Sequence, residues 1–313
     1  MTNYILRRLL ILPVVLLGVS IVVFMVIHLV PGNPAQVIAG ADAPPETVAA
    51  IERDLGLDRP LPEQYLRYMS RVIQGDLGDS LRSKRPVMDE VLTALPKTLQ
   101  LAATAAVITP FVAIPFGVIS AAKRGTPIDS ILMLVSMVGI TVPVFAIGLF
   151  LMLTFGYQLG WLPISGYGGA IWTLDGLRSM VLPAITLSVG TIATLSRLTR
   201  STMLEVLGNE FVRTARAKGL REAPVLLKHA LPNALLPIVT VVGMQFAYLL
   251  SGAVVTETIF AIPGLGRLAV YAIQARDFPV VQGSILIIAL VFVLVNLVVD
   301  MLYAVIDPRI KYE

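Results

Sequence analysis

An all-α fold of about six membrane-spanning helices is the expectation, on three grounds. First, 56% of the residues are hydrophobic and only 14% charged, with a mean hydropathy of +0.83. That composition leaves too little polar surface to solvate a soluble globule. Second, apolar runs near 9–30, 99–122, 131–155, 180–198, 234–256 and 284–306 are each about 20 residues, enough at about 1.5 Å per residue to cross about 30 Å of hydrocarbon. Third, the runs lack the alternation of barrel strands, and backbone groups in lipid must be satisfied within a segment, so the spans are helices.

The first run comes after Arg7 and Arg8 in "MTNYILRRLLILPVVLLGVSIVVFMVIHLVPG". It exceeds the h-region of a signal peptide, about 7–15 residues, and no A-x-A site comes directly after it, so a retained first span is expected. Segment 31–98 is the one sizeable polar stretch. Within it Tyr65, Met69, Val72 and Ile73 have the spacing of a helix with one buried face, and Gly75, Gly78 and Pro86 punctuate the residues after that helix. The segment reads either as an ordered cap on the outer mouth or as a docking surface for an outside partner.

The second, third and fifth spans carry Pro110, Pro115, Pro143 and Pro237, and Gly139 and Gly148 flank "ITVPVFAI". These are packing kinks or points where the third and fifth spans bend as a cavity changes access. Between the fourth and fifth spans runs the polar stretch "NEFVRTARAKGLREAPVLLKHALPN". Asn209 is placed to cap a short helix with Glu210 in its first turn, and Gly219 to end it in the left-handed conformation. Phe211, Val212 and Ala215 are expected on one side, Arg213 and Arg216 on another. A charged loop, an interfacial helix and a helix offered to a partner all fit this pattern. "PGLGRL" after the fifth span reads as a turn rather than a phosphate cradle, and Asp300 near the end of the sixth as a snorkelling or helix-end group rather than a proton relay.

Charge placement orients the chain. With the N-terminus inside, Arg7, Arg8, Lys123, Arg124, the basic residues from Arg197 to Lys228, Arg309 and Lys311 are all cytoplasmic. The short outer loops hold only Arg178, Arg267 and Arg276. Both termini therefore read as cytoplasmic, and the net charge of +4 reports orientation rather than a nucleic-acid partner. No repeat, heptad run or low-complexity tract is visible, so one membrane domain over 1–313 is the economical description, with 31–98 outside and the loop 197–233 inside. Zero cysteines exclude disulfide frameworks and thiolate metal or redox sites, and by themselves identify no compartment.

Several stretches together resemble one family. "RTARAKG" ending at Gly219, with Leu231-Pro232 after it, is similar to the EAA loop of binding-protein-dependent ABC importer permeases. Here Arg213, Thr214 and Ala215 stand where the general pattern has Glu-Ala-Ala, and His229 replaces an aliphatic residue. "LGLDRPLPEQYLRY", "GDLGDS", "HALPNALLPIVT", "GAVVTETIFAIPGLGRL", "ARDFPVVQG" and "NLVVDMLYAVIDPRIKY" each resemble the DppB/OppB-like permeases of dipeptide, oligopeptide, glutathione and nickel importers. The resemblance implies a type I, MetI-like permease fold in a bacterial or archaeal cytoplasmic membrane. It also implies a second, DppC/OppC-like permease, two ATPase subunits that bind ATP and Mg²⁺, and an extracytoplasmic solute-binding protein as partners. Carried over, Glu210, Arg213, Thr214, Ala215, Ala217, Lys218 and Gly219 become the expected contact of a coupling helix with an ATPase.

No H-E-x-x-H and no phosphate loop occur, so no cofactor or metal is expected in this chain and no ATP hydrolysis by it. Thr141, Gln245 and Tyr248 are the candidates for a wet substrate path. The expected cargo is a di- or oligopeptide, ahead of glutathione, a nickel chelate or a sugar. A partner-independent secondary transporter is the rival class, and a receptor-like docking protein a third. Dependence on a separate ATPase discriminates the importer from the secondary transporter.

Overall fold

The computed structural model describes residues 2–29, 34–39 and 43–306, and among them there is no strand beyond an isolated bridge between Asp79 and Pro86. The chain divides into two compact units, Met1–Pro96 with Gly264–Leu294 and Lys97–Pro263 with Val295–Glu313.

The first unit opens with α1 (Thr2–Leu29), then α2 (Pro34–Ala39), α3 (Pro45–Leu55) and α4 (Leu61–Ile73). Prolines start α3 and α4, where the missing N–H costs nothing. Gly56 closes α3 at φ 69°, its N–H bonded to Arg53 O. Val87, Val91 and Ala94 at the start of α5 (Val87–Ala122) pack with Leu265 and Ala272 of α12 (Leu265–Ala275) and with Val280 and Val281 of α13 (Phe278–Ile306). "PGLGRL" is thus the start of a helix as well as a turn, with Gly264 in the N-cap position.

A buried carboxylate holds the loop before α5. Asp277, 3% exposed, accepts the Ser80 hydroxyl at 2.6 Å and the backbone N–H groups of Leu81 and Arg82 at 3.1 and 3.3 Å. A buried charge is tolerable only with such partners. "GDLGDS" and "ARDFPVVQG" are therefore two halves of one contact.

The second unit contains the rest of α5, then α6 (Pro127–Thr141), α7 (Val144–Leu151) running into a π-helical stretch (Met152–Gln158), and α8 (Leu174–Leu207). After these come α9 (Glu210–Ala217), α10 (Glu222–Pro224) with a π-helical turn (Val225–Ala230), and α11 (Leu231–Ile259). α8 is the centre, with α6, α7 and α11 packed along it. Close approach is built from small residues: a Cβ on Gly117 of α5 would lie 2.4 Å from Thr199 Cβ of α8, and one on Gly139 of α6 2.8 Å from Val189 Cγ1. Helices in lipid, where apolar burial supplies little drive, associate by such backbone proximity.

The third span, expected over 131–155 with a kink or bend at Pro143, is broken sharply there. α6 and the α7 helix meet at 110°. Pro143 has no N–H to continue α6 and forces the residue before it out of the helical region, and Val142 sits at φ −76°, ψ 129°. Helices Val87–Ala122, Leu174–Leu207 and Phe278–Val299 are long and apolar enough to cross a membrane. Two bent pairs, this one and Glu222–Leu235 with Pro237–Phe246 at 58°, bring the total among the described residues to as many as five. In α1 the apolar stretch found is the shorter Leu10–Met25. The side chains of His28 and Asp300 lie outside the described residues, as does the chain beyond 306.

Candidate coupling surface and translocation path

The polar stretch after α8 folds as its residues dictate. α9 has Asn209 in the N-cap position at φ −75°, ψ 150°, and Glu210 in its first turn. The Asn209 side chain makes no capping hydrogen bond, contrary to the expectation, and the turn is closed instead by its carbonyl, which accepts from Val212 and Arg213 N–H at 3.1 and 3.3 Å. Gly219 is left-handed at φ +77°, and its N–H reaches Arg216 O at 2.9 Å.

One face of α9 belongs to this chain. Val212 and Ala215 are 0% and 6% exposed, and they pack with Val118, Ala121, Met203, Val206, Val225 and Ala230 from α5, α8 and the π-helical turn. Phe211, expected beside them, is instead 43% exposed. Phe211 lies about 100° around the helix from Val212, the more buried of the pair, and so falls at the edge of the covered side. Ala215 is small because its own chain packs against it. The face left open carries Glu210, Phe211, Arg213, Thr214, Ala217 and Lys218, continued by exposed Leu220 and Leu227. Arg216 is tied down by a two-point pair with Glu222, at 2.7 and 3.2 Å, which fixes the chain after Gly219.

A second polar cluster, one that sequence reasoning misses, lies at the same end of α8. Asp129 in the first turn of α6 is 5% exposed and accepts both Arg200 Nε and Nη2 at 2.8 Å. It also accepts the Ser120 hydroxyl at 2.5 Å and the Gly125 N–H at 3.0 Å. One carboxylate thus joins the end of α5, the turn into α6 and α8, with all its acceptor positions used. A sequence signal for it exists: an acid two residues beyond Pro127 at the mouth of a span, where a charge needs a partner. Arg200, by position an orienting charge, is that partner. Glu257 in α11 is a further residue without a linear signature; it is 0% exposed and accepts the Thr98 hydroxyl at 2.6 Å.

The path candidates fall on two helices. Thr141 is exposed at the last residue of α6, beside the 110° break, its hydroxyl bonded to Met137 O at 2.9 Å. Gln245 and Tyr248 lie three apart on α11; Tyr248 is 69% exposed, and the Gln245 Oε1 is buried without a hydrogen-bond partner among the described residues. α6 and α11 both pack on α8.

Two family models cover the chain. "Binding-protein-dependent transport system inner membrane component" matches residues 113–312, and the corresponding N-terminal component matches 1–102. The chain is 43% identical to the dipeptide transport system permease protein DppB of Alkalihalophilus pseudofirmus, over all of both chains. It is also 43% identical to the glutathione transport system permease protein GsiC of Shigella flexneri, again over all of both. Among solved structures, the inward-facing MetNI methionine ABC transporter matches with a TM-score of 0.58 and 15% identity, covering 70% of this chain and 97% of that one. At that identity the likeness concerns the fold.

Proposed function

The chain belongs to the family of binding-protein-dependent transport system inner membrane components, a multi-pass membrane permease, and on that basis we propose that it forms one half of the translocation path of a peptide importer. A second permease of related sequence completes the path. Two ATPase subunits, which hold ATP and Mg²⁺, supply the work, and a solute-binding protein delivers the cargo. Both termini and α9 face the cytoplasm, in keeping with the excess of Lys and Arg on that side.

The observation that carries the reading is the two-sided construction of α9. Its Val212–Ala215 side is buried against α5, α8 and the turn before α11, while its charged side is open. A push on the open side is therefore delivered to α8 and, through the π-helical turn, to α11, which is what an ATPase must do to change access to a cavity. Glu210, Arg213, Thr214, Ala217 and Lys218 make the contact, Ala215 seats the helix, and Gly219 ends it. Thr141, Gln245 and Tyr248 line the path. Neutral hydroxyl, amide and phenol groups suit a backbone-rich cargo, which offers carbonyl and N–H groups whatever its side chains.

Short peptides are the cargo favoured here. The dipeptide relative supports this directly, and glutathione, itself peptide-like, is the second reading because its permease is equally similar. The test is reconstitution of the whole importer in vesicles, with ATP hydrolysis measured as ligand-loaded binding protein is added. Stimulation by dipeptides above glutathione supports the first reading, the reverse order the second. Uptake that needs no ATPase subunit would refute the importer itself.

A further inference from the structure

The uncovered side of α4 is where sequence and structure disagree most. Spacing predicts that Tyr65, Met69, Val72 and Ile73 share a buried face, yet no residue of α4 is buried, and Ile73 and Leu66 are 79% and 66% exposed. Leu66 and Ile73 are seven apart and so share a stripe, which half-buried Met69 joins to that of Tyr65, Tyr68 and Val72 and which exposed Ser70 separates from that of Glu63, Arg67 and Arg71. Half of a broad apolar face is thus covered and half is not.

The covered half rests on α1. The Tyr65 hydroxyl is 2.7 Å from Ser20 Oγ, and the Phe24 ring lies 5.4 Å from that of Tyr65 and 5.9 Å from that of Tyr68. Phe24 is five residues and Ser20 nine residues before the end of α1 at Leu29, about 7.5 and 13.5 Å along the axis. α4 therefore lies beside the last third of a membrane-spanning helix rather than beyond its end. At the same level Leu17, Ile21 and Met25 of α1 are themselves 53%, 38% and 37% exposed.

We infer that α4 is an interfacial helix, lying in the headgroup and upper acyl region of the bilayer at the Leu29 end of α1, with Leu66 and Ile73 in hydrocarbon. An amphipathic helix in that position sits about 5–10 Å into the boundary, the depth at which the Phe24 contact holds it. The polar stripe points to headgroups and water: Arg67 and Arg71 carry long stems that reach outward, and Glu63 and Asp76 lie beside them as ion-pair partners. The occupant of the open face is phospholipid, because Leu66 and Ile73 carry no charge and α1, against which α4 rests, leaves Leu17, Ile21 and Met25 exposed at the same level.

This inference rests on the reading of α1 as a membrane span, and its test separates the two. The chain has no cysteine, so Leu66→Cys, Ile73→Cys, Glu63→Cys and Gln74→Cys can be spin-labelled one at a time, with Leu17→Cys as reference. The labelled chain is assembled with cysteine-free partner subunits in phosphatidylcholine and phosphatidylglycerol nanodiscs. Collision rates with oxygen and with a nickel chelate are then compared by electron paramagnetic resonance. Oxygen should exceed the chelate at 66, 73 and 17, and the order should reverse at 63 and 74. Chelate-accessible labels at 66 and 73 with a lipid-exposed 17 would overturn the inference in favour of an aqueous docking face. Labels at 66 and 73 shielded from both reagents would overturn it in favour of a protein partner. A chelate-accessible 17 would refute the span itself.

Discussion

Replacing Asp129 by Asn removes the charge from the one carboxylate that joins α5, the α5–α6 turn and α8. The amide keeps a single acceptor oxygen, so it can hold Ser120 or Arg200 but not all four donors. Its NH₂ group must also face Arg200 or the Gly125 N–H, donor against donor. Breaking one partner of a buried pair costs about 3–5 kcal/mol. The Arg200 side chain is 26% exposed and regains some water, which places the cost near the lower bound, about 3 kcal/mol. At about 1.4 kcal/mol per tenfold, the turn should open about a hundredfold more often. Hydrogen exchange on the assembled importer measures this. Amides of 123–130 should lose about two decades of protection, while those of α5 between 101 and 113 keep theirs. Arg200→Lys, which keeps the charge but not the two-point geometry, should do less. A loss below about threefold in Asp129→Asn would refute the claim that the pair holds the turn.

A Cβ at Gly219 meets no atom within 4 Å, so the main cost of Gly219→Val is the left-handed backbone, about 1–2 kcal/mol. Complex yield should fall little and uptake in vesicles much more; equal falls would mean α9 is only structural. Asp277→Ala orphans the Ser80 hydroxyl and the Leu81 and Arg82 amides and should make the loop 80–86 a preferred protease site, with binding-protein stimulation lost before basal ATP hydrolysis. The Arg71 hydrogen bond and then the Gly78 N–H hold the Asp76 carboxyl below its ordinary value of 3.8. Because the folded value is the lower, this contribution is complete above the unfolded value and is lost only as pH falls through the lowered one. Amide protection over 74–78, corrected for intrinsic rates, should therefore stay flat from about pH 8 to about pH 5 and fall only in stronger acid.

Fold class, helices and the ends of α9 were legible in the linear sequence. Apolar runs of membrane length have no other hydrogen-bonded solution in lipid, and Glu210 and Gly219 mark the ends of α9 by local rules that need no tertiary partner, although Asn209 holds the N-cap position without its side-chain bond. Which side of each helix is covered was settled only by packing. Phe211 and Ala215 carry the same apolar signal, yet only Ala215 is buried in the cluster that residues of α5, α8 and the turn before α11 share. Ile73 carries the signal of Val72, yet only Val72 faces inward. Pairings across long separations were also beyond a linear reading: Asp129 with Arg200, Asp277 with Ser80, Glu257 with Thr98. The physical reason is that periodicity reports that a face is apolar, whereas what covers it depends on the direction from which another helix, or lipid, arrives.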